Sequence, residues 1–305
     1  MNKYLDTSLS EVHESVDITK KRVGWRRIFS FLGPAYLVSV GYMDPGNWAT
    51  DLQGGSKFGY QLIWVLLMSN LMALLLQTLS ARLGVVRQLD LAQCNRLCYP
   101  KPVNFILYVF AELAIAACDL AEVLGMAIGL QLLLGIPLLA GVGITILDTF
   151  LLMYLQRLGI RKMEAFIIGL VGIISVCFLV ELLFAQPNMM EVAKGLNPKL
   201  PNQAALYIAI GIIGATVMPH NLYLHSALVQ TRKIERNETA IKRALKYNFW
   251  DSTIALNIAF FVNASILILA ASTFHTSGNS HVASLSEAHQ LLAPLLGHTW
   301  APHLF

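Results

Sequence analysis

The chain has 305 residues, of which 56% are hydrophobic and 13% charged, with four cysteines and a formal net charge of +4. Soluble domains carry about 25% charged residues, so this composition excludes a water-soluble enzyme, and it is far too apolar for a disordered chain. The 22 basic and 18 acidic residues nearly balance and form no long basic run, which argues against a nucleic-acid partner, and four cysteines make no disulfide framework.

What remains is a multi-span membrane protein. A helix needs about 20 apolar residues to cross a hydrocarbon core of roughly 30 Å. Residues 1–27 are polar and charged; they lack the cleavage pattern of a signal peptide and read as a cytoplasmic tail. The first span follows Arg27, is interrupted at Asp44 and resumes after Asn47. Lys57 and Arg82 bracket 24 uncharged residues, the second span. The third runs from Val103 to Leu133, the fourth from Leu138 to Gln156, and the fifth from Ala165 to Phe184. Lys199 and Arg232 bracket 32 uncharged residues that hold the sixth, and the seventh runs from Ser252 to Ser272. The apolar stretch Leu291 to Phe305 is too short to count as a span.

With the amino terminus inside, 19 basic residues fall on the cytoplasmic side and three (Lys57, Lys194 and Lys199) on the other. That split follows the positive-inside rule and orients the chain. Cys94 and Cys98 stand four apart in a cytoplasmic loop; without a second pair or a nearby His they read as free thiols rather than zinc ligands. The glycosylation pattern Asn237-Glu238-Thr239 also lies inside and stays unmodified on this topology.

The charges placed deep within spans are acidic: Asp44, Glu112, Asp119, Glu122 and Asp148. An acid at a helix centre costs about 2.5–3.5 kcal/mol on insertion scales, so such residues face a protein interior or a water-filled path. Their sign points to cations or protons as cargo. Glu112, Asp119 and Glu122 are spaced seven and three apart, which puts them on one stripe of the third span. Such a stripe can relay protons, or can pair with polar groups of neighbouring helices. Nothing local assigns Asp148 to either role.

Two breaks share one pattern. Asp44-Pro45-Gly46-Asn47 lies in the first span and Met218-Pro219-His220-Asn221 in the sixth. Proline removes a donor and clashes with the carbonyl one turn earlier, and Gly46 eases unwinding. An interrupted helix at membrane depth is tolerated where its freed groups line a cavity, and paired interruptions in corresponding halves point to a midplane transport site. Two ordinary proline kinks would not need the matched Asn47 and Asn221. Asp44 offers a hard anionic oxygen, Asn47 an amide oxygen, Gly41 and Ala215 backbone carbonyls, and Met218 a thioether. Calcium and magnesium have little use for sulfur, so a mixed oxygen–sulfur set suits Mn(II) or Fe(II) and admits Cd(II). His220 and His225 follow in the sixth span, where an imidazole beside a cation site suits proton exchange. Their spacing does not match the H-E-x-x-H pattern of a zinc peptidase.

At these paired motifs, with Gly41-Tyr42-Met43 before the first and Tyr223-Leu224-His225-Ser226 after the second, the chain resembles the Nramp family of proton-coupled divalent metal transporters, from about Trp25 to Phe305. The resemblance implies an all-α integral membrane protein of the inverted-repeat, five-plus-five (LeuT-like) type with discontinuous first and sixth spans. It implies metal ligation by Asp44, Asn47 and Met218 with the carbonyls of Gly41 and Ala215. It also implies a proton network through His220, Glu122, Asp119 and Glu112.

The expected organisation is a tail over 1–27, a first repeat over 28–185 and an incomplete second repeat over 186–305 that stops after the seventh span. The expected function is import of Mn(II) or Fe(II) with protons across the cell membrane by alternating access, with no catalysis and no resident cofactor. The partners expected are divalent metal ions, protons and the lipid bilayer, with the chain monomeric. Two alternatives stay open: a sodium-coupled organic-solute carrier of the same fold, and a non-transporting fragment.

Overall fold

Inside a bilayer every backbone N–H and C=O must be satisfied within the chain, so long apolar runs become helices. A computed structural model describes residues 8–17, 33–279, 282 and 284–296. Residues 1–7 and 18–32, with the expected start of the first span after Arg27, lie outside the described residues, as do residues 297–305 of the apolar end.

In chain order the elements are β1 (Val16–Asp17), α1 (Pro34–Gly41), α2 (Pro45–Phe58), α3 (Ile63–Arg87), α4 (Leu91–Cys98) and α5 (Lys101–Leu134). There follow α6 (Leu138–Arg157), α7 (Ile160–Ala185), α8 (Met189–Lys194), α9 (Gln203–Val217) and α10 (Pro219–Leu228). The last are β2 (Arg232–Lys233), α11 (Glu238–Ala270), extended by a π turn at Ala271–His275, and α12 (Leu285–Leu296).

Six helical runs are long and apolar enough to cross a membrane among the described residues. One of them, Pro45–Arg87, has 43 residues. At about 1.5 Å per residue it is roughly twice the hydrocarbon thickness, so it contains the end of one span and the whole of the next. The chain reverses between them in a tight turn at Gly59–Leu62. Gly59 has φ +58, a conformation that favours glycine, and a Cβ there would sit 3.2 Å from the His275 ring.

The span boundaries expected from charge agree with the helices at the third, fourth and fifth spans within a few residues. The seventh differs: its helix begins at Glu238 rather than Ser252. Asn237 caps it by accepting from the Ala240 amide at 2.8 Å, and Glu238 pairs with Lys242 at 2.5 Å. A capped, charged first stretch extends the helix beyond the apolar region, where water satisfies its surface.

α11 is the hub, packing against α1, α2, α3 and α7. Leu256, Ala259, Val262, Ile266 and Leu269 meet Val38 and Tyr42 of the first span and Val171 and Phe178 of α7 in one core. α5 and α6 pack mainly on each other through small residues, with a Cβ on Gly141 lying 3.1 Å from the Ala127 backbone. Such close approach is how helices associate in lipid. Many of their apolar side chains, Phe105, Phe110 and Leu147 among them, are exposed.

Candidate metal centre

The two broken spans are built alike. α1 ends at Gly41, and α2 starts with Pro45 in its first turn behind Asp44, whose extended backbone (φ −71, ψ 165) caps the helix. Asp44 Oδ1 accepts from the Asn47 amide at 2.8 Å. α9 ends at Val217, and α10 starts with Pro219 behind Met218, whose φ of 37 lies in the left-handed region that a non-glycine residue seldom adopts. Proline suits the first helical position because that N–H has no partner there. Its missing donor also leaves the carbonyl four residues earlier unclaimed. Those carbonyls belong to Gly41 and Ala215.

Asn47 joins the breaks. Its Nδ2 donates to Asp44 Oδ1 at 2.6 Å and to the Ala215 carbonyl at 2.9 Å, so one amide holds together an acid of the first break and a freed oxygen of the second. Its Oδ1 accepts from Thr216 Oγ1 at 3.3 Å and from Asn263 Nδ2 at 3.4 Å. Asn263 also donates to the Tyr42 carbonyl at 2.7 Å, tying the break to α11. Met218 Sδ accepts from Asn221 Nδ2 at 3.3 Å. Asp44 and Met218 are 8% and 4% exposed, and Asn47 is fully buried. Gly41 leaves room for Asn221, whose Nδ2 would lie 2.4 Å from an added Cβ. Gly125 of α5 likewise admits Pro45, whose Cγ would be 2.2 Å from an added Cβ.

The chemistry of this cluster is that of a cation ligand set: one carboxylate, one amide, backbone oxygen and a thioether. Asn47 presents N–H toward Asp44 and Ala215, so it would have to rotate to offer its oxygen to a metal. Among the described residues no three His, Cys, Asp or Glu side chains converge as a metal cluster. Any metal site here therefore draws on neutral and backbone donors.

The other expected residues separate into two groups. Glu112, Asp119 and Glu122 share the exposed side of α5. Glu122 accepts from Cys118 Sγ at 3.7 Å and lies within electrostatic reach of Asp44, Asp119 and Asp148. Glu112 lines a cavity of about 940 Å³ between α4, α5 and Tyr223 of α10, with Arg96 and Lys101. His220 is half-buried within reach of Asp44 and Asp119, and its Nδ1 has no hydrogen-bond partner among the described residues. His225 lies elsewhere: it is fully buried, with Nδ1 2.8 Å from Gln77 Oε1, and Gln77 Nε2 donates to the Tyr42 hydroxyl at 2.9 Å. It belongs to a line ending at the first break and not to the α5 stripe.

Sequence reasoning passed over several buried charges. Asp51, Glu164, Glu181 and Asp251 are all buried. Asp251 accepts from the Gly33 amide at 3.2 Å and the Ala35 amide at 3.1 Å, at the amino end of α1. Arg232 Nη2 donates to Glu164 Oε1 at 2.7 Å, and Arg161 to Glu164 Oε2 at 3.1 Å. Burial pushes the Arg232 guanidinium below its ordinary value, and the Glu164 charge opposes the shift. By charge spacing Arg232 bounds the sixth span and Asp251 stands just before the seventh, so neither reads as buried. A signal was present at Asn263, which with Asn257 is one of two amides in the otherwise apolar seventh span. Cys94 and Cys98 are free thiols, and burial pushes Cys94 up, away from the thiolate a metal needs.

Residues 35–305 match the family described as Natural resistance-associated macrophage protein-like, Nramp. The divalent metal cation transporter MntH of Bradyrhizobium diazoefficiens is 58% identical over 301 residues, which are 98% of this chain and 67% of that protein. The protein of the same name from Agrobacterium fabrum is 56% identical over 303 residues, 98% of this chain and 66% of its own length. A crystal structure of the Eremococcus coleocola manganese transporter, in complex with an aromatic bis-isothiourea substituted compound, superposes with a TM-score of 0.88 at 40% identity. It covers 98% of this chain and 65% of its own. The chain thus spans about two thirds of the length of the proteins it matches.

Proposed function

This chain belongs to the Nramp family and has its inverted-repeat membrane fold, and from that premise we propose that it forms the metal-binding part of a secondary transporter for divalent transition-metal ions. Asp44 supplies the charge, Asn47 and the Gly41 and Ala215 carbonyls supply neutral oxygen, and Met218 supplies the sulfur that disfavours Ca(II) and Mg(II). Mn(II) is the leading cargo, with Fe(II) and Cd(II) fitting the same donors. Import is coupled to protons held by His220, Glu122, Asp119 and Glu112, and the amino terminus lies in the cytoplasm. The metal and the protons are substrates, and the chemistry asks for no resident cofactor.

The observation that carries this reading is the convergence of both breaks on Asn47, whose amide spans Asp44 and Ala215 at 2.6 and 2.9 Å. A donor held between two such oxygens marks where a cation would bridge them. Mn(II) uptake into proteoliposomes, with a pH-sensitive dye inside, tests the whole proposal. Uptake with internal acidification is expected, and Asp44→Ala should abolish both. Normal Mn(II) uptake by Asp44→Ala would overturn the site, and uptake without acidification would remove the proton coupling.

A further inference from the structure

β1 and β2 pair in parallel, Val16 beside Arg232 and Asp17 beside Lys233, and the Glu14 amide donates to the Gln230 carbonyl at 3.0 Å. Val16 is buried while Ser15 and Asp17 are exposed, the alternation of a seated strand. Segment 230–233 therefore holds the amino-terminal segment by its backbone.

The same segment touches the start of the first span. A Cβ on Gly33 would lie 2.5 Å from Arg232 Nη2 and 2.3 Å from Glu164 Cδ, and the Gly33 amide donates to Asp251. The chain leaving the sixth span is thus gripped on one side by α1 and on the other by the strand that precedes α1 in sequence. Arg236, three residues past β2, donates to the Val85 carbonyl at 2.9 Å and lies within electrostatic reach of Glu14.

We infer that residues 14–17 are a releasable strap that holds α1 shut against the chain leaving the sixth span, and that this strap must detach before that end of the protein can open. Its release is built in. A ribbon of two paired residues is marginal by itself, and Glu14 sits at φ 50, a left-handed conformation that costs a non-glycine residue stability. The inference rests on the alternating-access reading only for the statement that this end opens.

Cross-linking tests it. Paired strands lie about 4.8 Å apart, inside the roughly 4.4–6.8 Å span of Cα atoms that a disulfide accepts. The variant is Asp17→Cys with Lys233→Cys, in a background with the four native cysteines changed to Ser. Ser39→Cys is the reporter, because Ser39 lies fully buried on α1 and outside the metal centre. Inside-out membrane vesicles are treated with a membrane-impermeant maleimide, and label at residue 39 is read by mass spectrometry. Oxidation should close the pair and lower that label on the order of fivefold, within the usual range of coupling, and reductant should restore it. Deleting residues 1–17 should raise it. A pair that does not cross-link, or a closed pair that leaves the label unchanged, overturns the strap. If the label responds while Mn(II) uptake is absent throughout, the transport reading fails and the strap stands.

Discussion

The Asn47 side chain donates to the Ala215 carbonyl at 2.9 Å, across 168 residues of sequence. That carbonyl is open to it because Pro219, four residues on, has no N–H to offer. The bond therefore links an amide in the first break to the backbone consequence of a proline in the second.

Restoring the donor should close the oxygen off. Pro219→Ala supplies an amide that completes the helix through Ala215, and a net hydrogen bond is worth about 1 kcal/mol. Mn(II) affinity is expected to fall about fivefold in titration calorimetry. Unchanged affinity would remove the Ala215 carbonyl from the ligand set.

Met218 should act on choice of ion more than on strength of binding. Its sulfur is buried and, among the described residues, accepts from Asn221 Nδ2. Met218→Ala should lower Mn(II) over Ca(II) discrimination by about tenfold or more in competition binding, since a thioether favours the softer ion. Equal discrimination in the variant and the parent would show that selectivity lies elsewhere.

Glu164 lies between Arg232 and Arg161 at 2.7 and 3.1 Å. Glu164→Gln keeps the shape but leaves the buried Arg232 guanidinium without its anion. Breaking a buried pair from one side costs about 3–5 kcal/mol. A clear fall in thermal stability in detergent is expected, larger than for Arg161→Gln at the more exposed partner. Equal falls would contradict the burial argument.

Asp51 presents the opposite case. It is fully buried one turn beyond Asn47, and neither carboxylate oxygen has a hydrogen-bond partner among the described residues. An unpaired buried acid burdens the fold. Asp51→Asn, which brings its own donors, should therefore hold or raise the melting temperature. A loss of about 2 kcal/mol or more would mean that the carboxylate makes a stabilising contact.

Much of this protein was legible before folding. Charge spacing marks the spans because lipid penalises every charge that interrupts them, and the two proline motifs mark the breaks because proline acts locally on its own helix. The placing of Asp44, Asn47, Met218, Gly41 and Ala215 at the two breaks follows from those motifs. The buried pairs did not, because Arg232 and Asp251 look like loop charges until their burial is known. His225 reads as a neighbour of His220, yet helix rotation sends it to Gln77.

Local chemistry thus determined where helices start, stop and break, since those events depend on a few adjacent residues. The tertiary structure alone decided which face of each helix meets which. It brought Asn47 to Ala215, Asn263 to Tyr42 and Val16 to Arg232. Such contacts depend on how helices rotate and cross, which is set by the packing of whole surfaces and not by any stretch of sequence.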